Sequence, residues 1–100
     1  MFEPNATKVT MLFPLKQSNG EPYSEGTWEW WLANIASFGL YDDRPIRSTW
    51  KGRLKRYRFV QIVITDETKL ERLDSFLLEV REVFAQEVFF EAVRVHFKLI

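Results

Sequence analysis

The chain has 100 residues, 46% hydrophobic, 28% charged and 16% aromatic, which fits one compact domain over residues 1–100 and excludes a disordered or a multidomain chain. With no cysteine and one histidine, disulfides, thiolate metal sites, iron–sulfur clusters and cysteine nucleophiles are excluded, and little is left for zinc or a proton relay. Lys+Arg and Asp+Glu balance at 14 each, but residues 44–58 carry seven cations and no acid, whereas residues 66–91 carry eight acids against three cations, so the chain is an electric dipole.

Residues 7–14 alternate as a strand, with Val9, Met11 and Phe13 on one face and Thr10 and Leu12 on the other. Residues 16–22, with Asn19-Gly20 and Pro22, read as a loop. Ser24 is a good N-cap and Glu25 suits the positive end of a helix, while Trp28, Trp31, Leu32, Ile35 and Ala36 recur at helical spacing and Gly39 stops the run. Asp42-Asp43-Arg44-Pro45 is expected to continue as a loop. Strands follow over residues 47–51 and 57–64 around a basic turn at 52–56, in which Leu54 is expected to be exposed or to pack on a neighbouring chain, with a mobile tip. Thr68 and Glu71 form a capping box for a second helix, whose stripe is Leu70, Leu73, Phe76, Leu77, Val80, Val83 and Phe84. After Gln86 the chain extends again, and Val93, Val95, Phe97 and Leu99 alternate with Arg94, His96 and Lys98 in a final strand.

The resulting order, β-α-β-β-α-β, predicts a ferredoxin-like α+β fold: two helices on one face of a four-stranded antiparallel sheet, with the first and third strands central. The uncovered face would carry Leu12 and one parity of the 57–64 strand beside Arg94, His96 and Lys98. No apolar run approaches the ~18 residues of a membrane span, and residues 1–5 lack the basic start of a signal peptide, so the expectation is a cytoplasmic protein without membrane contact.

Several residues could carry chemistry. Trp28 and Trp31 share the core stripe, but Trp30 lies ~200° from Trp28 on the helix and needs cover from a loop, a subunit or a ligand. His96 is the single candidate for a histidine base, but it stands between Arg94 and Lys98 and the chain has no Gly-x-Ser-x-Gly frame, which favours a surface or interface histidine. The acid pairs Asp42-Asp43, Asp66-Glu67 and Glu25 with Glu29 read as helix starts and loops, and Gly20, Gly26, Gly39 and Gly52 have no phosphate-binding spacing. The segment Lys55-Arg56-Tyr57-Arg58-Phe59-Val60-Gln61-Ile62 resembles the RNP1 strand of RNA-recognition motifs. That resemblance implies Tyr57 and Phe59 as base-stacking rings, although Arg56 and Arg58 stand where the family has small residues and Ile62 where it has its last aromatic. A second resemblance covers nearly the whole chain: Ser24-Glu25 with Trp28 after it, Gly39, Trp50 with Gly52, and Phe84-Ala85-Gln86-Glu87 before the last strand are similar to a family of small bacterial proteins of unknown function with a ferredoxin-like fold. It implies the fold and no activity.

The leading functional expectation is a non-catalytic protein-interaction or regulatory module acting as a homo-oligomer, most simply a dimer that covers the open sheet face. One alternative is binding of single-stranded nucleic acid through the basic 44–58 hairpin, with Trp50, Lys51, Arg53, Lys55, Arg56, Tyr57, Arg58 and Phe59 as contacts. A second is a cofactor-independent enzyme of the dimeric ferredoxin-like barrel type, with Trp30, Trp50, Tyr57 and His96 lining a pocket. No cofactor and no metal are expected in any of the three.

Overall fold

The computed structural model describes residues 3–50, 52–86 and 88–96. Its elements follow the predicted order: β1 (Ala6–Pro14), α1 (Glu25–Ile35) with a 3-10 turn after it (Ala36–Phe38), β2 (Leu40–Trp50), β3 (Arg53–Ile64), α2 (Glu67–Phe84) and β4 (Phe89–Val95). The strands form one antiparallel sheet in the order β2-β3-β1-β4, and the buried side chains of both helices pack on one of its faces, the ferredoxin-like α+β arrangement.

The core is built from alternate residues of the two central strands. Val9, Met11 and Phe13 of β1 and Val60, Ile62 and Ile64 of β3 meet Trp31 and Ile35 of α1 and Leu73, Phe76, Val80 and Phe84 of α2. Phe13 is the hub of the aromatic part, with edge-on contacts to Trp31 at 5.1 Å and Phe84 at 6.2 Å. Ser24 caps α1 by accepting from the Thr27 amide at 3.1 Å, and Gly39, at φ 85°, ends the following 3-10 turn in the left-handed region as its lack of a side chain allows.

The structure departs from the sequence expectations at several points, each with a physical reason. Residues 42–45 are strand, not loop: β2 begins at Leu40, has a bulge between Leu40 and Asp42, and pairs Asp43 with Val60 and Pro45 with Arg58. Proline is tolerated there because β2 is an edge strand with one unpaired side. Arg53–Arg56 are likewise strand, so the basic residues run along β3 instead of crowding a turn, and Gly52 at φ 77° marks the reversal. Leu54 is 68% exposed, as the sequence suggests. The N-cap of α2 is Asp66, whose carboxylate accepts from the Thr68 amide at 2.9 Å, so the helix is capped two residues before the Thr68–Glu71 box. Leu32 and Val83, both assigned to apolar stripes, are exposed because α1 and α2 bury narrower faces than their sequences permit.

The last strand has the opposite facing from the one expected. Arg94 pairs with Thr7, and its guanidinium donates to Thr7 Oγ1 at 3.0 Å, on the helix-covered side of the sheet. Phe89, Glu91 and Val93, paired with Leu12, Thr10 and Lys8, are left for the open face. Register with β1 sets this facing, and alternation by itself is symmetric between the two. Phe97, Lys98 and Leu99 lie outside the described residues, as does Glu87. Among the described residues no helix is long and apolar enough to cross a membrane.

Candidate functional site

Helix α2 packs over β1 and β3, and a groove of about 730 Å³ opens where its outer face meets the edge strand β4. Glu67, Glu71 and Asp74 line one wall; their i, i+4, i+7 spacing puts three carboxylates on a single face of α2. The other wall is Phe90, Ala92 and Arg94 of β4, with Thr7 of β1 beneath them. Edge position explains the composition. With β4 at the edge of the sheet among the described residues, Phe90 is 42% exposed instead of being packed into a core, and the Arg94 guanidinium is held by Thr7, itself only 4% exposed. Among the described residues no group of three His, Cys, Asp or Glu side chains is arranged to hold a metal ion. The groove therefore offers separated carboxylates to a cation, one oriented guanidinium to an anion, and an accessible ring to a flat or cationic group.

The residues singled out from sequence are dispersed. Trp30 finds its cover within the chain, against the Phe76 ring at 5.4 Å. The nitrogen Nδ1 of His96 is 2.9 Å from the Glu3 carbonyl, at the far end of β4 from Phe90. Tyr57 is buried, and Phe59 has the Arg44 guanidinium 4.8 Å over its ring, so neither offers a bare stacking face. Arg58 points to the helix side, where it pairs with Asp43. Arg53, Lys55 and Arg56 line a separate cleft beside the 15–22 loop. The side chain of Trp50 and the whole of Lys51 lie outside the described residues. Sequence reasoning assigns Glu67 and Glu71 only to the start of a helix and does not single out Asp74 or Phe90. The helical spacing of the acids is visible in the sequence, but nothing local shows that a strand edge with an exposed ring faces them.

A polar strut joins the end of α2 to the loop after β1. The Tyr23 hydroxyl donates to the Phe84 carbonyl at 2.7 Å, and the Gln86 carboxamide donates to the Lys16 carbonyl at 2.7 Å and to the Tyr23 oxygen. Tyr23 also stacks on Phe84 at 4.6 Å. Burial raises the Tyr23 pKa above its ordinary value of 10.0, against a smaller lowering by the Gln86 hydrogen bond. A raised folded-state value means that the neutral phenol stabilises the fold fully below pH 10 and that this contribution is lost as the pH climbs through the folded value. Tyr23→Phe is therefore expected to cost about 1 kcal/mol near pH 7 in a urea titration, with the gap to wild type closing above about pH 10; a constant gap over that range would show that the hydroxyl does not titrate with folding.

No protein-family model and no curated protein matches the chain, so the short-motif resemblance to small bacterial proteins rests on its residues alone. Among solved structures the fold is similar to that of a phage SAM lyase in complex with S-methyl-5'-thioadenosine, at a TM-score of 0.62 and 16% identity, covering 94% of this chain and 84% of that one. The expectation of a non-catalytic interaction module is corrected by this finding: the likeness in fold, over 94% of the chain, is to an enzyme.

Proposed function

We propose that the chain is a cofactor-independent enzyme that binds a sulfonium nucleoside of the S-adenosylmethionine type in the α2–β4 groove and cleaves it as a lyase. The observation that carries this reading is the placement of three carboxylates, one exposed ring and one oriented guanidinium around a single groove. S-adenosylmethionine carries, besides its sulfonium, an ammonium, a carboxylate and a flat base, and these three find counterparts in the α2 carboxylates, the Arg94 guanidinium and the Phe90 ring. The volume lies within the about 300–1,000 Å³ of small-molecule clefts. The similarity to the SAM lyase supports the reading from the side of the fold.

Release of S-methyl-5'-thioadenosine breaks the bond between sulfur and the methionine-derived γ carbon. The bonding pair goes to sulfur and turns the sulfonium into a neutral thioether. The four-carbon remainder either loses a proton from its β carbon to a carboxylate of α2 or closes onto its own carboxylate, and the mass of the second product tells these apart. Positive charge disappears from sulfur along the way. Carboxylates therefore help most at the ammonium end and would hold back the reaction if placed at the sulfonium, whose charge they would stabilise before it is lost. Arg94 would hold the substrate carboxylate.

The test is incubation of the protein with S-adenosylmethionine and chromatography of the nucleoside products. We expect S-methyl-5'-thioadenosine well above a protein-free control, and about tenfold or greater loss of turnover in Arg94→Met and in Glu71→Gln, the effect of removing a charge-assisted contact. Formation no faster than in the control, together with no heat of binding in calorimetry, would overturn the reading. So would unchanged turnover in both variants.

A further inference from the structure

We infer that the cleft between the 15–22 loop and the first residues of β3 is a second binding site, for a nucleoside polyphosphate. It has a volume of about 470 Å³ and shares no residue with the α2–β4 groove. Lys16, Arg53, Lys55 and Arg56 line it, none of its lining side chains among the described residues is acidic, and Leu54 and Pro22 supply apolar surface.

Two features show that these cations are not neutralised by the fold itself. In the β2–β3 register Arg47 stands directly opposite Arg56, a like-charge pair that destabilises a sheet by itself. Elsewhere on the same hairpin the cations have partners: Arg44 pairs with Asp42 at 3.2 Å and Arg58 with Asp43 at 2.7 Å. Among the described residues, Arg47, Arg53, Lys55 and Arg56 have neither an ion pair nor a side-chain hydrogen bond. The unpaired cations are thus concentrated at the one end of the hairpin that borders a cleft.

The facing wall is already ordered. A backbone bridge between Lys16 and Pro22 closes the loop, the Gln17 amide donates to the Glu21 carbonyl at 2.8 Å, and Gln86 ties Lys16 to the end of α2. Binding there costs little loop ordering. Several cations call for several negative charges, as on a polyphosphate, and the exposed apolar surface of Leu54 and Pro22 is suited to one flat base. The limited volume favours a mononucleotide over a polymer that must pass through.

Calorimetric titration of the wild-type protein with ATP, inorganic tripolyphosphate, adenosine and a ten-residue oligothymidylate, each without metal, tests the inference. We expect ATP to bind more tightly than the other three, the interaction to weaken as salt is raised, and Arg53→Gln/Arg56→Gln to lose about tenfold or more in affinity. The double variant removes a like-charge contact and is expected to melt no lower than wild type; Lys55→Gln gives a second, milder reduction. Absence of ATP binding at low salt, tripolyphosphate binding as tightly as ATP, tighter binding of the oligonucleotide, or affinity unchanged in both variants would each overturn it.

Discussion

Trp31→Ala is expected to lower the stability of the protein by about 4 kcal/mol, the middle of the range for truncating a large buried ring. Trp31 is fully buried, packs edge-on to Phe13 at 5.1 Å and to Trp28 at 5.6 Å, and supports the Arg58 guanidinium at 4.1 Å. Removing it opens a void between α1 and the two central strands and deprives an ion pair of its apolar backing. A 100-residue domain has stability of roughly 5–15 kcal/mol, so the variant should be marginal at 25 °C. Trp31→Phe should lose far less, because the buried indole Nε1 has no hydrogen-bond partner to forfeit. Urea titrations of both variants give the comparison. Equal losses in the two, or a loss below about 2 kcal/mol for alanine, would show that the surrounding core collapses around the gap.

The second large effect is at the ion pair above that ring. Arg58 donates from Nε and Nη2 to the two carboxylate oxygens of Asp43 at 2.8 and 2.7 Å, with side chains 26% and 18% exposed. The guanidinium also lies 5.3 Å over Trp28, so it closes the open end of the aromatic cluster. Arg58→Met is expected to cost about 2–3 kcal/mol, less than for a fully buried pair because water still reaches both groups. The mechanism predicts its own coupling. Asp43→Asn in the Arg58→Met background should cost about 1 kcal/mol or more less than it does alone, since the carboxylate it removes is already without its partner. Additive losses would mean that Arg58 acts through packing on the tryptophans and not through Asp43.

Arg58 also shows where one-dimensional reading reaches its limit. In sequence it belongs to a run of cations suited to nucleic acid, and Asp43 belongs to a polar Asp-Asp-Arg-Pro stretch that resembles a loop. Neither residue carries a local sign of the other. Fifteen positions separate them, and only the hairpin register brings them together.

The amino-acid sequence by itself determines the element order, the α+β class and most of the core. The facing of β1, the stripe of α2 and the left-handed stop at Gly39 are all periodic or conformational signals contained within a few neighbouring residues. Tertiary structure alone decides what depends on partners distant in the chain. Residues 42–45 become strand because β3 supplies their hydrogen bonds, and Arg94 turns to the helix side because β1 sets its register. Glu67, Glu71 and Asp74 look like an ordinary solvated helix face until the sheet order leaves β4 at the edge, with Phe90 and Arg94 turned toward them. The residues of β4 carry no proline to mark it as an edge, as Pro45 does for β2. Its edge position is set by the topology, and the candidate site of this protein is built there.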